Sequence, residues 1–264
     1  MKPAPFQYVR TETLDEALDA LLRGGGEAKV LAGGQSLVPA LNMRLVRPTL
    51  LVDVNRTAGL DEVTDEGGAL RVGATVRQAD PRLRAHPLLA EVLPHVGHVV
   101  TRNRGTVCGS LAHADAAAEL PVALTLAGGS VVVASTRGRR EIAADELFRG
   151  PYTTALDPDE LVVEAVWPLV GPDERFAFEE LAQRGGDFAI CTAGARARGD
   201  DIRVVVGAVT HRPTVLAVDP DRPGESAAAQ VEPWGSVHSS PAYQKQLVRV
   251  LVDRAVARVR ERST

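Results

Sequence analysis

Apolar residues recur at helical spacing over residues 13–23, at Leu14, Ala17, Leu18, Leu21 and Leu22. Thr13 is placed as N-cap with Glu16 three residues on, and Gly24 to Gly26 stop the run. Residues 29–32 form a short apolar strand that breaks on Gly33 and Gly34, after which Gln35 and Ser36 lead into further apolar positions. The stretches TLLVDVNRT (49–57) and ALRVGATVRQAD (69–80) read as strands, with the acidic interval 59–68 as a solvent hairpin between them. Residues 85–100 show helical spacing, and PVALTLAGGSVVVAS (121–135) reads as a helix, a glycine turn and a buried strand. A basic hairpin, a capped helical turn and a strand ending near Trp167 follow.

A Gly-Pro pair in VGPDE (170–174) punctuates the chain and marks a domain boundary. Beyond it, three stretches alternate or run apolar at strand length, which predicts three antiparallel strands. A polar linker (219–242) then precedes a final amphipathic helix over residues 243–260, whose Arg249, Arg254, Arg258 and Arg260 read as a solvated face.

Composition removes several classes. With 264 residues, 45% hydrophobic and 24% charged, the chain has the makeup of a soluble globular protein, large enough for two domains. No apolar run approaches the roughly 20 residues needed to span a bilayer. The start, MKPAPFQYVR, lacks the apolar core of a secretory signal, and there are two cysteines, Cys108 and Cys191, which favours the cytoplasm. Two isolated cysteines do not make a cluster or zinc site, so metal chemistry would sit on a partner. A net charge of -4 and 4% aromatic residues argue against nucleic acid.

The chemistry concentrates in residues 101–121, TRNRGTVCGSLAHADAAAELP. Gly105, Gly109 and five small or hydroxyl residues surround Asp115 and Glu119, and such a stretch suits a backbone cradle for a phosphorylated ligand, or a tight turn opening a helix. The strand, paired glycines and hydroxyl at 30–36 form a second turn of the same kind, and neither a GxGxxG nor a Walker lysine pattern is present. His95 and His98 lack a carboxylate partner at zinc-site spacing, and nothing adjacent orients His113 as a catalytic base.

Together, AGGQSLVPALNMRLVRPTLLVDV (32–54) and TRNRGTVCGSLAHADAAAELP (101–121) resemble the FAD-binding medium subunit of the molybdenum hydroxylases, the family of carbon monoxide dehydrogenase and xanthine dehydrogenase flavoproteins. FRGPYTTAL (148–156), RGGDFAI (184–190) and the closing SSPAYQKQLVRVLVDRAV extend the resemblance over essentially the whole chain.

The resemblance implies an α+β fold. A two-lobed FAD-binding domain of the vanillyl-alcohol-oxidase type would occupy 1–170, with lobes at about 1–57 and 58–170, and a C-terminal domain with a small antiparallel sheet and helices would occupy 171–264. It places FAD contacts at Val30, Leu31, Ala32, Gly33, Gly34, Gln35 and Ser36 in the first turn. In the second it places them at Thr106, Val107, Cys108, Gly109 and Ser110, followed by Asp115 and Glu119, with Leu161 and Phe188 near the isoalloxazine. The sequence departs from the family pattern at Cys108, which replaces a glycine and would set a thiol beside the phosphates, and at Ala116, which replaces a proline.

The implied function is electron transfer, with no catalytic acid or base and no metal of its own. Electrons would arrive from a [2Fe–2S] small subunit fed by a molybdopterin large subunit, in a heterotrimer or a dimer of it, and leave to NAD, a quinone or oxygen. Two other readings stay open at this point: a free-standing FAD-dependent oxidoreductase with its own small substrate, and a scaffold that binds no flavin.

Overall fold

In the computed structural model, which describes residues 2–261, the chain begins with a three-stranded parallel sheet. β1 (Gln7–Arg10) leads through α1 (Leu14–Gly24) to β2 (Ala28–Leu31), then α2 (Leu37–Asn42) and β3 (Leu50–Asp53), with β3 in the centre. Thr13 caps α1 as its spacing predicts. Its hydroxyl accepts from the Glu16 N–H at 3.3 Å while the Glu16 carboxylate accepts from the Thr13 N–H at 3.3 Å. Ala17, Leu18, Ala20 and Leu21 of α1 pack with Val52 and Val54 in a core that also takes in Ala134, Leu161 and Val163 of the next sheet.

That next sheet is five-stranded and antiparallel throughout. β4 (Val63–Glu66) and β5 (Ala69–Gly73) form a hairpin turned on Gly67 and Gly68, whose φ angles are 63° and 77°. The interval expected to be a solvent hairpin is therefore itself a strand, and β3 and β5 enter different sheets. Its acidic residues fit because β4 is an edge, where charge is tolerated. The helix expected over residues 85–100 is two short ones, α3 (Pro87–Val92) and α4 (Val99–Arg102). Pro94 has no N–H to continue α3, and Gly97 turns the chain at φ 51°.

Then come α5 (Val107–His113), α6 (Glu119–Ala127), β6 (Ser130–Ser135), β7 (Gly138–Ala143), α7 (Ala144–Leu147), the ribbon β8 (Phe148–Gly150) with β9 (Thr153–Thr154), and β10 (Leu161–Pro168). The sheet order is β4-β5-β10-β6-β7. Every residue of α6 is buried, the mark of a helix packed on all sides.

The last sheet is β11 (Glu174–Ala182), β12 (Ala189–Arg198), β13 (Asp201–Gly207) and β14 (Thr214–Leu216), again antiparallel. Three strands were expected; the third apolar stretch breaks at Ala208 (φ 64°) and returns as β14. The polar linker is not structureless, because α8 (Pro223–Gln230) folds within it against α9 (Pro241–Glu261), with the Gly224 N–H donating to Asp253 Oδ1 at 2.7 Å. The expected C-terminal domain runs to 264, and residues 262–264 lie outside those described.

The two faces of this sheet serve different cores. Phe176, Phe178 and Val205 join the core around α6, while Ala177, Cys191, Ala193, Ala195, Val204 and Val206 pack against α9. Arg258 is not part of a solvated face. It donates to Glu91 at 2.7 Å, to Glu179 at 2.8 Å and to the Phe178 carbonyl at 3.0 Å, tying α9 to α3 and β11. Arg260 likewise donates to the Pro220 carbonyl at 2.9 Å. No helix among the described residues is long and apolar enough to cross a membrane.

Candidate functional site

The two glycine turns, some 70 residues apart in sequence, are in direct contact. β2 carries Val30 and Leu31 to its C-terminal end, and the chain turns through Ala32, Gly33, Gly34, Gln35 and Ser36 into α2. A Cβ on Gly33 would stand 2.5 Å from the Arg104 carbonyl oxygen, 2.7 Å from Gly105 Cα and 3.0 Å from the Thr106 nitrogen. Only glycine allows that approach. Gly34 adopts φ 71° and its carbonyl accepts from the Val38 N–H at 2.9 Å. The Ser36 hydroxyl makes no capping bond to α2.

Over the first turn lies a cleft of about 360 Å³, lined by Gly33, Gly34, Gln35, Asp53 and Asn55 and by Arg104 just before the second turn. Side chains the sequence reading passed over build its walls. Asn55 donates to the Ala32 carbonyl at 2.9 Å and to Asp53 at 2.6 Å. Arg77 donates to Asn55 Oδ1 at 2.7 Å and to the Arg104 carbonyl at 2.6 Å, so one guanidinium holds both turns. Burial alone would raise the Asp53 carboxyl, but hydrogen bonds from Tyr8 and Asn55 outweigh it and hold Asp53 below the ordinary carboxylate range. Arg104 also lines the cleft.

The second turn opens α5. Thr106 is 2% exposed and its hydroxyl is occupied as the N-cap, accepting from the Gly109 N–H at 3.0 Å. The Gly105, Val107 and Ser110 N–H groups donate to the Thr101, Val76 and Thr106 carbonyls, so what residues 105–110 leave accessible is the half-buried Gly109 and Ser110. Val107 and Cys108 face the core, and the Cys108 thiol donates to the Val72 carbonyl at 3.3 Å. The thiol does not stand in the turn, and burial pushes its pKa far up, so it is neither a thiolate nor a phosphate neighbour.

Asp115 and Glu119 fall in the α5–α6 connection and at the start of α6. Asp115 accepts from the Ala117 N–H at 2.9 Å and from the Tyr152 hydroxyl at 3.1 Å. Three of the four non-glycine residues with positive φ meet here. Ala114 (φ 51°) accepts from Tyr152 (φ 56°), and Ala116 accepts from Ala208 (φ 64°), each bond at 2.8 Å. Such strain persists only where the surroundings enforce it. The His113 ring lies 5.0 Å from that of Tyr152, and burial keeps His113 below its usual range. Leu161 is buried at the start of β10 in the core under the first sheet, whereas Phe188 is 67% exposed at the turn before β12. The structure thus brings the two turns into backbone contact beside a cleft that the first turn lines, sets Asp115 and Glu119 beyond α5, and places Leu161 and Phe188 in separate surroundings.

Residues 4–170 match the family described as the FAD binding domain in molybdopterin dehydrogenase. Over its whole length the chain is 36% identical to the 6-hydroxypseudooxynicotine dehydrogenase complex subunit alpha of Paenarthrobacter nicotinovorans, covering 97% of it. It is 35% identical to the nicotine 6-hydroxylase medium subunit of the same organism, across 97% of this chain and 98% of that one. Among solved structures it resembles a chain of carbon monoxide dehydrogenase from Hydrogenophaga pseudoflava lacking the Mo-pyranopterin moiety. That match has a TM-score of 0.94 at 28% identity and covers 100% of both chains.

Proposed function

The chain belongs to the family of FAD-binding domains in molybdopterin dehydrogenases, and on that premise we propose that it is the electron-transfer flavoprotein subunit of a molybdenum hydroxylase or dehydrogenase complex. It is an oxidoreductase subunit and its cofactor is FAD. In this reading it receives electrons from a [2Fe–2S] small subunit, downstream of a molybdopterin large subunit, and passes them to an external acceptor in the cytoplasm. Residues 1–57 and 58–170 act as the two lobes around the cofactor, and residues 171–264 form the C-terminal flavoprotein domain.

The carrying observation is the contact of Gly33 with Arg104, Gly105 and Thr106, which sets the two glycine loops against each other beside the cleft. Its donors suit a diphosphate: N–H groups of the first turn and the uncapped Ser36 hydroxyl, with Arg104 on the wall as the cation. Asp115 supplies an acceptor for hydroxyl groups further along the cofactor, while Glu119 is covered by protein at the start of α6. When bound, FAD contributes the exchange between one-electron and two-electron traffic, and the protein positions and tunes it. No side chain is required as an acid or base for that role.

The test is the visible spectrum of the purified chain after addition of FAD, followed by co-purification. A bound flavin band, and recovery with iron–sulfur and molybdopterin subunits, is the expected result. A chain that takes up no flavin overturns the reading.

A further inference from the structure

The parallel unit of β2, the first glycine turn, α2 and β3 ends on a carboxylate. Asp53 closes β3; its register partner on β2 is Leu31, the residue from which the chain enters the turn, and its partner on β1 is Arg10. Direct neighbours in a ladder share a face, so Asp53 projects on the same side of the sheet as Leu31. That side is the cleft. A Cβ on Gly34 would stand 3.1 Å from Leu31 Cδ1 and 3.2 Å from Val38 Cγ2, and Leu31, Val38, Pro39 and Asp53 all line the space of about 360 Å³. One amide nitrogen fixes the carboxylate against the turn: Asn55 Nδ2 donates to Asp53 Oδ1 at 2.6 Å and to the Ala32 carbonyl at 2.9 Å.

The bonds to this group leave it one acceptor position. Oδ1 accepts from Asn55 Nδ2 and, at 2.9 Å, from the Asn55 backbone N–H, while Oδ2 accepts from the Tyr8 hydroxyl. A carboxylate offers about two positions on each oxygen, so one remains on Oδ2. Other polar side chains of the cleft are already committed: Asn55 Oδ1 accepts from Arg77, and Gln35 Nε2 donates to the Gly33 carbonyl at 3.2 Å. Burial works against a charge on Asp53, but the bonds from Tyr8 and Asn55 outweigh it and keep the group ionised. An ionised, acceptor-only group beside a turn that suits a diphosphate selects a ligand with a hydroxyl near its phosphates, and it repels a further phosphate. Doubly wound nucleotide folds use the same placement, an acid about 20 residues after a glycine turn that accepts from a ribose hydroxyl. Asp53 stands 20 residues after Gly33. The cleft volume is at the small end for ligand pockets, room for one half of a dinucleotide.

We propose that Asp53 is the specificity-determining residue of this cleft, its Oδ2 accepting a hydrogen bond from a ribose hydroxyl of the adenosine half of the cofactor. This rests on the cleft holding the FAD diphosphate. One carboxylate then has two duties: Oδ1 positions Asn55, and with it the Ala32 carbonyl, while Oδ2 reads the sugar. The first duty alone would affect every ligand of the cleft alike. The second distinguishes ligands that differ by a single hydroxyl.

The experiment is a calorimetric titration of the full chain, freed of flavin, with ADP, 2′-deoxy-ADP and 3′-deoxy-ADP as probes, in wild type and in Asp53→Asn. The wild type should bind at least one deoxy analogue about tenfold or more weakly than ADP, as expected for a hydrogen bond to a charged group. Asp53→Asn should hold all three probes within about threefold of one another, the range of a weak neutral bond. A preference of the same size in Asp53→Asn overturns the proposal and leaves Asp53 the positioning duty alone. A further probe needs no variant. ADP phosphorylated on the discriminated hydroxyl should bind the wild type no better than the deoxy analogue, because two negative groups would meet, and an affinity equal to that of ADP overturns the proposal. A wild type that binds FAD but takes the three nucleotides equally, or not at all, overturns the proposal alone; a wild type that does not bind FAD overturns the reading of the cleft as well.

Discussion

Gly33 and Arg104 stand backbone to backbone, with only 2.5 Å between the Arg104 carbonyl oxygen and the place a Gly33 Cβ would occupy. Neither loop can retreat freely, because Arg77 grips the Arg104 carbonyl from one side and Asn55 holds the Ala32 carbonyl from the other. Gly33→Ala should therefore push the two turns apart. A loss of about 1–3 kcal/mol is expected, the usual cost of forcing a methyl into packed surroundings. Thermal unfolding checks the stability change and flavin absorbance after gel filtration checks binding. Gly26→Ala, with open space around it, is the control that should change neither.

Arg258 ties α9 to α3 through Glu91. Its replacement by Gln should cost about 1–2 kcal/mol. That is more than the 0.2–1 kcal/mol of an exposed pair, because Glu91 and Glu179 are mostly covered, and less than a fully buried pair because the guanidinium is 36% exposed. The urea midpoint should fall accordingly, and raised salt should narrow the gap between variant and wild type.

Cys108 and Cys191 should be inert in the folded protein. Both are buried, with burial raising the Cys108 thiol strongly and pushing Cys191 up to about 12. Incubation with iodoacetamide should leave both unmodified at neutral pH and label both in urea. Cys108→Ala should retain flavin occupancy and lose about 1 kcal/mol through the vacated core space. Labelling of Cys108 before unfolding would contradict its placement against Val72.

Glu119 makes stability pH-dependent in a direction opposite to most carboxylates. Its folded value of about 7 lies above its unfolded value near 4.5. Below the unfolded value both states carry the proton and folding incurs no penalty. As pH rises through the folded value, the unfolded state gains by ionising while the folded state resists. Glu119→Gln should thus gain on the wild type by up to about 3 kcal/mol between pH 4.5 and 8. Chemical denaturation of both proteins across that range measures it, and a parallel pH dependence would refute the assignment.

Local patterns were the legible part of this chain. The Thr13–Glu16 capping box, the helix at α6, the buried β6 strand and the long C-terminal helix all depend on near neighbours and were read from spacing. The two turns were also legible, because glycine and small residues advertise a close approach in one dimension. Asn55, Arg77 and Arg104 were not, since the bonds that make them a frame span 22 and 27 positions and leave no periodic trace. Arg258 was misread for the same reason: its partner Glu91 is 167 residues away, and on its own helix it is simply a charge on a polar stripe. Cys108 was misplaced because the motif specifies where a backbone goes, while the direction of the side chain follows from the helix that Thr106 caps.

The sharing of α6 between two sheets bears on how the chain comes apart. Phe176, Phe178 and Val205 complete the same core as Leu120, Val122 and Leu124, and the other side of their sheet is covered by α9 and α8. A fragment ending at residue 170, where the family match stops, would leave the outward flank of α6 facing water along its length. Such a fragment is expected to aggregate on expression, whereas the intact chain should melt in one transition without a separable C-terminal step.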